Sequence, residues 1–144
     1  MSFFKTISTC FYLGYIPFIP GTIGSLAGIF LYWFVLSKNI FLYSAVTVVL
    51  IFSGFYICTM AENEFKTKDD KKIILDEIIG IFISMLFIKK TIPAVIVGFL
   101  LFRFFDVSKI LFINKIQKLN GGIGIVLDDV LAGIYTNIFL SFLF

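Results

Sequence analysis

The sequence predicts an all-α integral membrane protein, and three observations support this fold class. Hydrophobic residues make up 60% of the 144 residues, against roughly 45–50% in soluble domains. The mean hydropathy is +1.05, and a soluble domain of this length has too little interior to bury so much apolar surface. The stretch from Ile40 to Met60 contains no charged residue, and its length suffices to cross a hydrocarbon core of about 30 Å.

Five apolar segments are expected to form helices, because lipid offers backbone polar groups no other partner. They cover approximately Ile23–Leu36, Ile40–Met60, Ile73–Ile88, Ile92–Phe105 and Ile125–Phe144. The third and fourth are short, so the sequence predicts about four to five membrane-embedded helices and leaves open whether this pair spans or re-enters. Before them, Ser2–Leu13 mixes charged and aromatic residues and is predicted to form a helix in the interface. Residues 1–144 are expected to form one domain.

Charged residues are distributed unevenly between the two membrane sides that these helices define. Three basic residues, Lys38, Lys89 and Lys90, fall on the side opposite the N-terminus, and the other nine fall on the N-terminal side. Basic loops stay in the cytoplasm, so we expect a multi-pass protein of the inner membrane whose N-terminal side is cytoplasmic. All nine acidic residues also fall on that side. The orientation rule does not require this, so the pattern indicates a function for carboxylates at the cytoplasmic face.

Two pairs of adjacent acids, Asp76-Glu77 and Asp128-Asp129, are predicted to open the third and fifth helices. One interpretation is that they interact with the helix dipole, which is worth about 0.3–1 kcal/mol. However, both pairs follow three apolar residues, which draw them toward the membrane, where neighbouring carboxylates repel each other. A divalent cation removes that repulsion. Oxygen ligands without His or Cys favour Mg²⁺ or a similar hard ion.

Arg103, Asp106 and Lys109 are spaced three residues apart near the end of the fourth helix. This spacing places them within about 120° on one helix face. They are consistent with a ladder of ion pairs, which contributes little to stability. They are equally consistent with a metal-binding Asp between two cations that hold a phosphoryl group.

The segment Pro20–Ser25 is expected to start the first apolar helix, with Thr22 as its N-cap. The free N–H groups of a helix N-terminus and the hydroxyls of Thr22 and Ser25 would suit an anion. Alternatively, the small residues Gly24, Ser25 and Gly28 allow close helix packing. Both interpretations can hold together.

A glycine cluster, Gly121–Gly124, precedes the second acid pair and is interpreted as a flexible turn. Gly80 and Gly133 each lie four residues beyond an acid, Asp76 and Asp129 respectively. They are predicted to be matching points of close contact between the two acid-bearing helices.

Composition and spacing exclude several functions. A net charge of +3 spread among apolar residues does not favour a nucleic-acid partner. The chain has no histidine, which excludes histidine-dependent lipid phosphatases. Cysteine-based phosphatases need Arg six positions after the Cys, whereas Cys10 is followed there by Ile16 and Cys58 by Glu64. Carboxylates, a metal and cations remain as the chemistry.

Taken in order, these motifs resemble the phosphatidylglycerophosphatase A family. The matching segments are Pro20–Ser25, Asp76–Gly80, Phe102–Lys109 and Gly121–Gly133. Asp69 also stands where that family tends to carry an Asp, although a solvated surface is its default interpretation. The sequence departs from the family at Ile110, where Pro is usual, and at Tyr12, where a glycine-rich turn is common.

The resemblance implies an Mg²⁺-dependent enzyme that hydrolyses phosphatidylglycerophosphate to phosphatidylglycerol and phosphate. The expected catalytic residues are Asp76, Glu77, Asp106, Lys109, Asp128 and Asp129, and the acids among them are the expected metal ligands. The expected substrate-binding residues are Thr22, Ser25, Arg103 and Lys109. The expected partners are an anionic phospholipid and the membrane, and a homo-oligomer is compatible with the sequence.

A small divalent-cation carrier or channel subunit is the alternative hypothesis, with the same carboxylates as its ion path. It predicts acids on both faces or at mid-membrane, which disfavours it here. A purely structural membrane subunit would leave the clustering of acids without a cause.

Overall fold

The protein is described by a computed structural model that covers residues 2–35 and 39–144. The helices are α1 (Phe3–Ser8), α2 (Pro20–Phe30), α3 (Ile40–Phe65), α4 (Leu75–Ser84), α5 (Ile92–Ser108), α6 (Ile113–Ile116) and α7 (Gly121–Leu143). A 3₁₀ turn at Leu13–Tyr15 follows α1, and a π-helical segment at Leu31–Val35 extends α2. These two ranges of the chain contain no strand, which confirms the all-α prediction. Leu36, the predicted end of the first apolar helix, and Lys38 lie outside the described residues.

Two of the described helices, α3 and α7, are long and apolar enough to cross a membrane. The expectation of about four to five membrane-embedded helices therefore exceeds what helix length supports. The apolar run 73–88 contains only ten helical residues, because the helix ends at Ser84. Ten residues span about 15 Å, half of a typical hydrocarbon core.

The surface of α3 is strongly apolar. Only 17% of its most hydrophobic window is buried inside the protein, against 50% in α7. Phe41, Val49 and Phe52 on α3 are all more than 60% exposed. Contiguous exposed apolar surface of this kind is rare in soluble monomers and is typical of a surface that meets lipid or a partner.

The centre of the fold is the contact between α4 and α7, around which the other helices pack. Nine of the ten residues of α4 are buried, and only Glu77 is partly exposed. Helix α7 also contacts α3, α5 and α6, while α2 covers the other side of α4 and touches α5. This arrangement holds the two acid-bearing helices, α4 and α7, against each other in the interior.

Two glycines allow α4 and α7 to approach closely. A Cβ atom at Gly133 would lie 2.6 Å from the carbonyl oxygen of Gly80, and one at Gly80 would lie 2.9 Å from the carbonyl oxygen of Asp129. Only a residue without a side chain fits such a contact. The prediction that Gly80 and Gly133 are matching packing points is confirmed.

Candidate active site

The first acid pair lies in the first turn of α4, as predicted. Helix α4 begins at Leu75, so Asp76 and Glu77 are its second and third residues. The preceding residue, Ile74, donates its N–H to the carbonyl oxygen of Ser8 at 2.9 Å. This contact ties the start of α4 to the N-terminal segment and fixes where the two carboxylates enter the interior.

The second acid pair does not open its helix, which corrects the prediction. Helix α7 begins at Gly121, so Asp128 and Asp129 lie about two turns inside it. The glycine cluster forms the first turn rather than a flexible loop. The N–H of Gly122 donates to the Thr59 hydroxyl at 2.8 Å, and a Cβ atom at Gly122 would lie 2.3 Å from a carbonyl oxygen of α3. Contact with α3 therefore orders this segment as helix.

Three buried carboxylates converge where α4 meets α7. Asp76, Asp128 and Asp129 each offer an oxygen, and these atoms lie within 4.8 Å of one another. All three residues are buried. Within the residues that the structure describes, one oxygen of each, and Oε2 of Glu77, is buried without a hydrogen-bond partner. A buried carboxylate without a partner is costly, so the arrangement suits a cation.

Two cations hold Asp106 beside this group. Arg103 Nη1 lies 2.5 Å from Asp106 Oδ2, and Lys109 Nζ lies 2.7 Å from Asp106 Oδ1. The ammonium also lies 2.7 Å from Asp128 Oδ2, so it links α5 to α7. Lys109 follows the end of α5 in a left-handed conformation with φ of 47°. The turn, rather than helical periodicity, brings it to the site.

The acidic cavity lies at this junction and has a volume of about 660 Å³. Six of the nine carboxylates of the chain line it. These are Asp69, Asp76, Glu77, Asp106, Asp128 and Asp129. Three cations, Lys71, Arg103 and Lys109, also face it, as does Thr22. With one exception, the residues predicted to form the site lie together.

The exception is Ser25, which the structure does not bring to the cavity. Its side chain is fully buried, and its hydroxyl donates to the carbonyl oxygen of Gly21 at 2.9 Å. Thr22 does line the cavity, but it lies in the first turn rather than at the N-cap, because α2 begins at Pro20. Its hydroxyl and the free N–H groups of that turn remain suited to an anion.

Sequence reasoning missed Asp69 and Lys71 as cavity residues. Both lie in the loop before α4, which was interpreted as a solvated surface. Asp69 has a φ of 51° and is held from two sides. Its N–H donates to Glu62 Oε1 at 3.0 Å, and its Oδ2 accepts from Gln117 Nε2 at 3.1 Å. The only signal in the sequence was that Asp69 stands where the resembled family tends to carry an Asp.

The electrostatics of the cavity favour a bound cation. Burial raises the pKa of Glu77 to about 8, with the charge of Asp129 as the next largest cause. Burial, followed by the charge of Glu77, raises the pKa of Asp76 well above its ordinary value. Burial alone would lower the pKa of Lys109, but the charges of Asp129, Asp128 and Asp106 raise it by more. The acids outnumber the cations that face them.

Comparison with known proteins decides the family. Residues 6–144 match the family described as phosphatidylglycerophosphatase A. The chain belongs to this family. It is therefore a phosphoric monoester hydrolase that acts on a phospholipid.

Three curated relatives cover most of the chain. Phosphatidylglycerophosphatase A of Escherichia coli K12 is 33% identical over 136 residues, which cover 90% of this chain and 77% of the relative. Phosphatidylglycerophosphatase A of Haemophilus influenzae is 37% identical over 123 residues, which cover 81% and 73%. A protein of Bacteroides thetaiotaomicron, named provisionally as a phosphatidylinositol-3-phosphatase, is 33% identical over 143 residues, which cover 94% and 89%. No solved structure matches the chain.

Proposed function

We propose that this protein hydrolyses phosphatidylglycerophosphate to phosphatidylglycerol and phosphate in an Mg²⁺-dependent reaction at the cytoplasmic face of the inner membrane. One observation carries the proposal. Buried carboxylate oxygens of Asp76, Asp128 and Asp129 lie within 4.8 Å of one another, and a lysine and an arginine stand beside them. This combination matches the needs of a phosphomonoester site, namely ligands for a hard cation and positive groups for phosphate oxygens.

The residues present fit a divalent cation. The unpartnered oxygens of Asp76, Asp128 and Asp129 would hold it, and Glu77 and Asp106 line the cavity beside them. When bound, Mg²⁺ supplies positive charge that neutralises a phosphomonoester and polarises water. Both oxygens of Asp106 already accept from cations, so we assign Asp106 first to positioning Arg103 and Lys109.

Lys109 and Arg103 are proposed to hold the phosphate. The ammonium of Lys109 has three N–H donors, and two of them point to Asp106 and Asp128. The third is free to meet a phosphate oxygen. Asp106 fixes the guanidinium of Arg103, which leaves further N–H groups for the same anion. In phosphoryl transfer, such positioning and charge stabilisation supply most of the catalysis.

The first turn of α2 is proposed to complete the phosphate site. Pro20, Gly21 and Thr22 line the cavity, and the absence of a side chain at Gly21 keeps the helix start open. A Cβ atom there would lie 2.8 Å from Glu77 Oε1 and 3.0 Å from Arg103 Nη1. The cations and the helix N-terminus therefore face one space from different sides.

The membrane placement is also a proposal. Helices α3 and α7 would span the bilayer, while α2, α4 and α5 would be embedded beside them. Labelling of single cysteines in intact cells tests this, in a background with Cys10 and Cys58 replaced by Ala. A thiol at Lys89 should react with a membrane-impermeant reagent, and one at Lys118 should react only after permeabilisation. The reverse pattern would place the cavity outside the cell.

The decisive experiment is phosphate release by the purified protein. Short-chain phosphatidylglycerophosphate should be hydrolysed with Mg²⁺, and hydrolysis should stop when EDTA removes the metal. Turnover that is unaffected by EDTA would contradict the metal proposal. No turnover under any metal condition would contradict the proposed substrate.

The name of the Bacteroides relative supports testing phosphatidylinositol 3-phosphate as a second substrate in the same assay. The proposed function requires a higher kcat/KM for phosphatidylglycerophosphate. A preference for the inositol lipid would keep the enzyme class and change its substrate. No observation supports the cation-carrier alternative, because six carboxylates of the described chain gather in one cavity and the three relatives are named as phosphatases.

A further inference from the structure

An apolar groove of about 410 Å³ lies between α5 and the continuous helix formed by α2 and its π-helical extension. All residues that line it are apolar, and Leu26, Ile92 and Ile96 among them are about half exposed or more. Apolar surface left open in this way is favourable only where hydrocarbon covers it. The groove therefore needs an occupant.

Helix α2 connects the groove with the acidic cavity. Thr22 lines the cavity, and Leu26, Ile29 and Trp33 line the groove. These positions lie four, seven and eleven residues beyond Thr22, which places them on the same helix face. A molecule that leaves the cavity along this face meets the groove after one helical turn.

Helix α5 makes the same connection in the opposite chain direction. Arg103 lines the cavity, and Ile96 and Ile92 line the groove. They lie seven and eleven residues before Arg103, again on one face. Both walls of the groove therefore begin at residues that we assign to the phosphate site.

The distance from the acidic cavity along α2 to Trp33 in the groove fits one leaflet of a bilayer. Eleven helical residues from Thr22 to Trp33 extend about 16 Å, which is half of a hydrocarbon core of about 30 Å. A lipid whose headgroup lies in the cavity would place an acyl chain along this distance. Polar headgroup and apolar chain would thus each meet a matching surface of the same two helices.

We propose that the α2–α5 groove holds one acyl chain of the lipid substrate while its phosphate lies in the acidic cavity. This inference rests on the proposed function, because a substrate with a phosphomonoester and an acyl chain is what connects the two spaces. The groove would then bind the substrate through its chain and would contribute to KM for long-chain lipids, since each buried methylene tightens binding about fourfold.

The chain carries a natural probe for this proposal. Trp33 is its only tryptophan, and it lines the groove. The ammonium of Lys90 holds it in place, lying 5.3 Å from the centre of its ring and donating to its carbonyl oxygen at 2.6 Å. Bromine atoms on a lipid acyl chain quench tryptophan fluorescence on contact, so quenching of Trp33 reports occupancy of the groove.

The experiment compares three bromoacyl lipids at equal mole fraction in phosphatidylcholine vesicles that contain the full-length protein. Phosphatidic acid presents a phosphomonoester, phosphatidylserine is anionic without one, and phosphatidylcholine is the neutral reference. Phosphatidic acid should quench Trp33 most strongly. Equal quenching by all three, equal quenching by both anionic lipids, or no quenching because a second copy covers Trp33 would each overturn the proposal.

A matched pair of variants tests the groove itself. Ile96→Phe fills the groove. It should lower the apparent affinity for phosphatidic acid, measured by selective quenching of Trp33, about tenfold. This is the loss expected when about two methylene groups leave the groove. Val49→Phe adds the same ring on the exposed face of α3, where Val49 is 65% exposed, and should change nothing. Equal effects of the two variants would contradict the assignment.

Quenching requires no turnover, so the two proposals can fail separately. Selective quenching without phosphate release would retain the groove and remove the proposed function. Phosphate release with unselective quenching would retain the function and remove the groove.

Discussion

The two acid pairs occupy different positions in their helices. Asp76 and Glu77 lie in the first turn of α4, where free N–H groups and the helix dipole favour a carboxylate by about 0.3–1 kcal/mol. Asp128 and Asp129 lie about two turns inside α7, beyond the reach of that effect. A helix terminus therefore accounts for part of the first pair and for none of the second.

This difference shows which carboxylate depends most on an external cation. Oδ2 of Asp128 is paired with Lys109 at 2.7 Å, whereas Asp129 forms no ion pair within the described part of the chain and its Oδ1 is buried there without a hydrogen-bond partner. Asp129 is 2% exposed, so water does not compensate its charge. The cation proposed for the site has its strongest justification at Asp129.

The largest expected effect follows from removing one of these charges. Asp129→Asn and Asp76→Asn keep the shape of the side chain, and each should abolish Mg²⁺-dependent turnover while the protein stays folded. Loss of one charge-stabilising group in an active site typically costs about 10²–10³ in kcat. Phosphate release and a thermal unfolding curve measure the two quantities. Asp70→Asn, outside the cavity, is the control, and wild-type rates in both site variants would refute the assignment.

The next effect concerns the cation that links the second pair to α5. Lys109→Gln should lower kcat sharply, because a contact that strengthens as charge builds on the phosphate acts on the transition state. Neutralising Lys66, Lys68 and Lys72 together should instead raise KM on anionic membranes, since surface lysines attract headgroups by about 1 kcal/mol each.

Steady-state kinetics of the two variants, with and without added salt, distinguish these roles. The rise in KM should shrink at high salt, and the loss of kcat should not. If Lys109→Gln changes only KM while the loop variant loses kcat, the phosphate has been assigned to the wrong cations.

A smaller effect is expected from separating the helices that carry the pairs. Gly133→Ala would place a Cβ atom 2.6 Å from the carbonyl oxygen of Gly80, and overpacking of this kind typically costs about 1–3 kcal/mol. Melting temperature and turnover should both fall. In the control variant, Gly98→Ala, the new Cβ atom meets only the flexible ends of Met85 and Leu140. Equal losses in both variants would mean that the α4–α7 contact does not depend on glycine more than the Gly98 contact does.

The smallest effect is expected when the two acid pairs are compared directly in metal-free protein. Asp129→Asn and Glu77→Gln should both raise the melting temperature in EDTA, because each removes a buried carboxylate from a cavity in which acids outnumber cations. The gain should be larger at Asp129, since the helix terminus already favours Glu77 by about 0.3–1 kcal/mol. Differential scanning calorimetry at pH 9, above the pKa of about 8 of Glu77, measures this. A larger gain at Glu77 would reverse the comparison.

Much of the site could be predicted from the sequence because it depends on local patterns. The pattern of acids after an apolar run correctly predicted that Asp76 and Glu77 lie at the start of a helix. The spacing of Arg103, Asp106 and Lys109 indicated that these three side chains lie close together. Small residues in register with the acids predicted the α4–α7 contact. These features need only helical periodicity and residue size, except that Lys109 reaches Asp106 through the turn that follows α5.

Two of the remaining features depend on contacts between distant segments. The glycine cluster became the first turn of α7 because Thr59 of α3 accepts from Gly122. Asp69 faces the cavity because Gln117, 48 residues away in sequence, and Glu62 hold it there. Ser25 points away because its hydroxyl bonds to Gly21 within α2. The apolar run 73–88 could not reveal that its helix ends at Ser84.

The glycine contact between α4 and α7 also bears on which ion the cavity accepts. Main-chain atoms at Gly80 and Gly133 set the separation of the helices, and unlike side chains they cannot adjust by changing rotamer. Mg²⁺ requires ligand distances of about 2.0–2.1 Å, and Ca²⁺ requires about 2.3–2.6 Å. A site whose two halves cannot move apart discriminates against the larger ion, so its selectivity would be determined by the backbone as well as by the carboxylates.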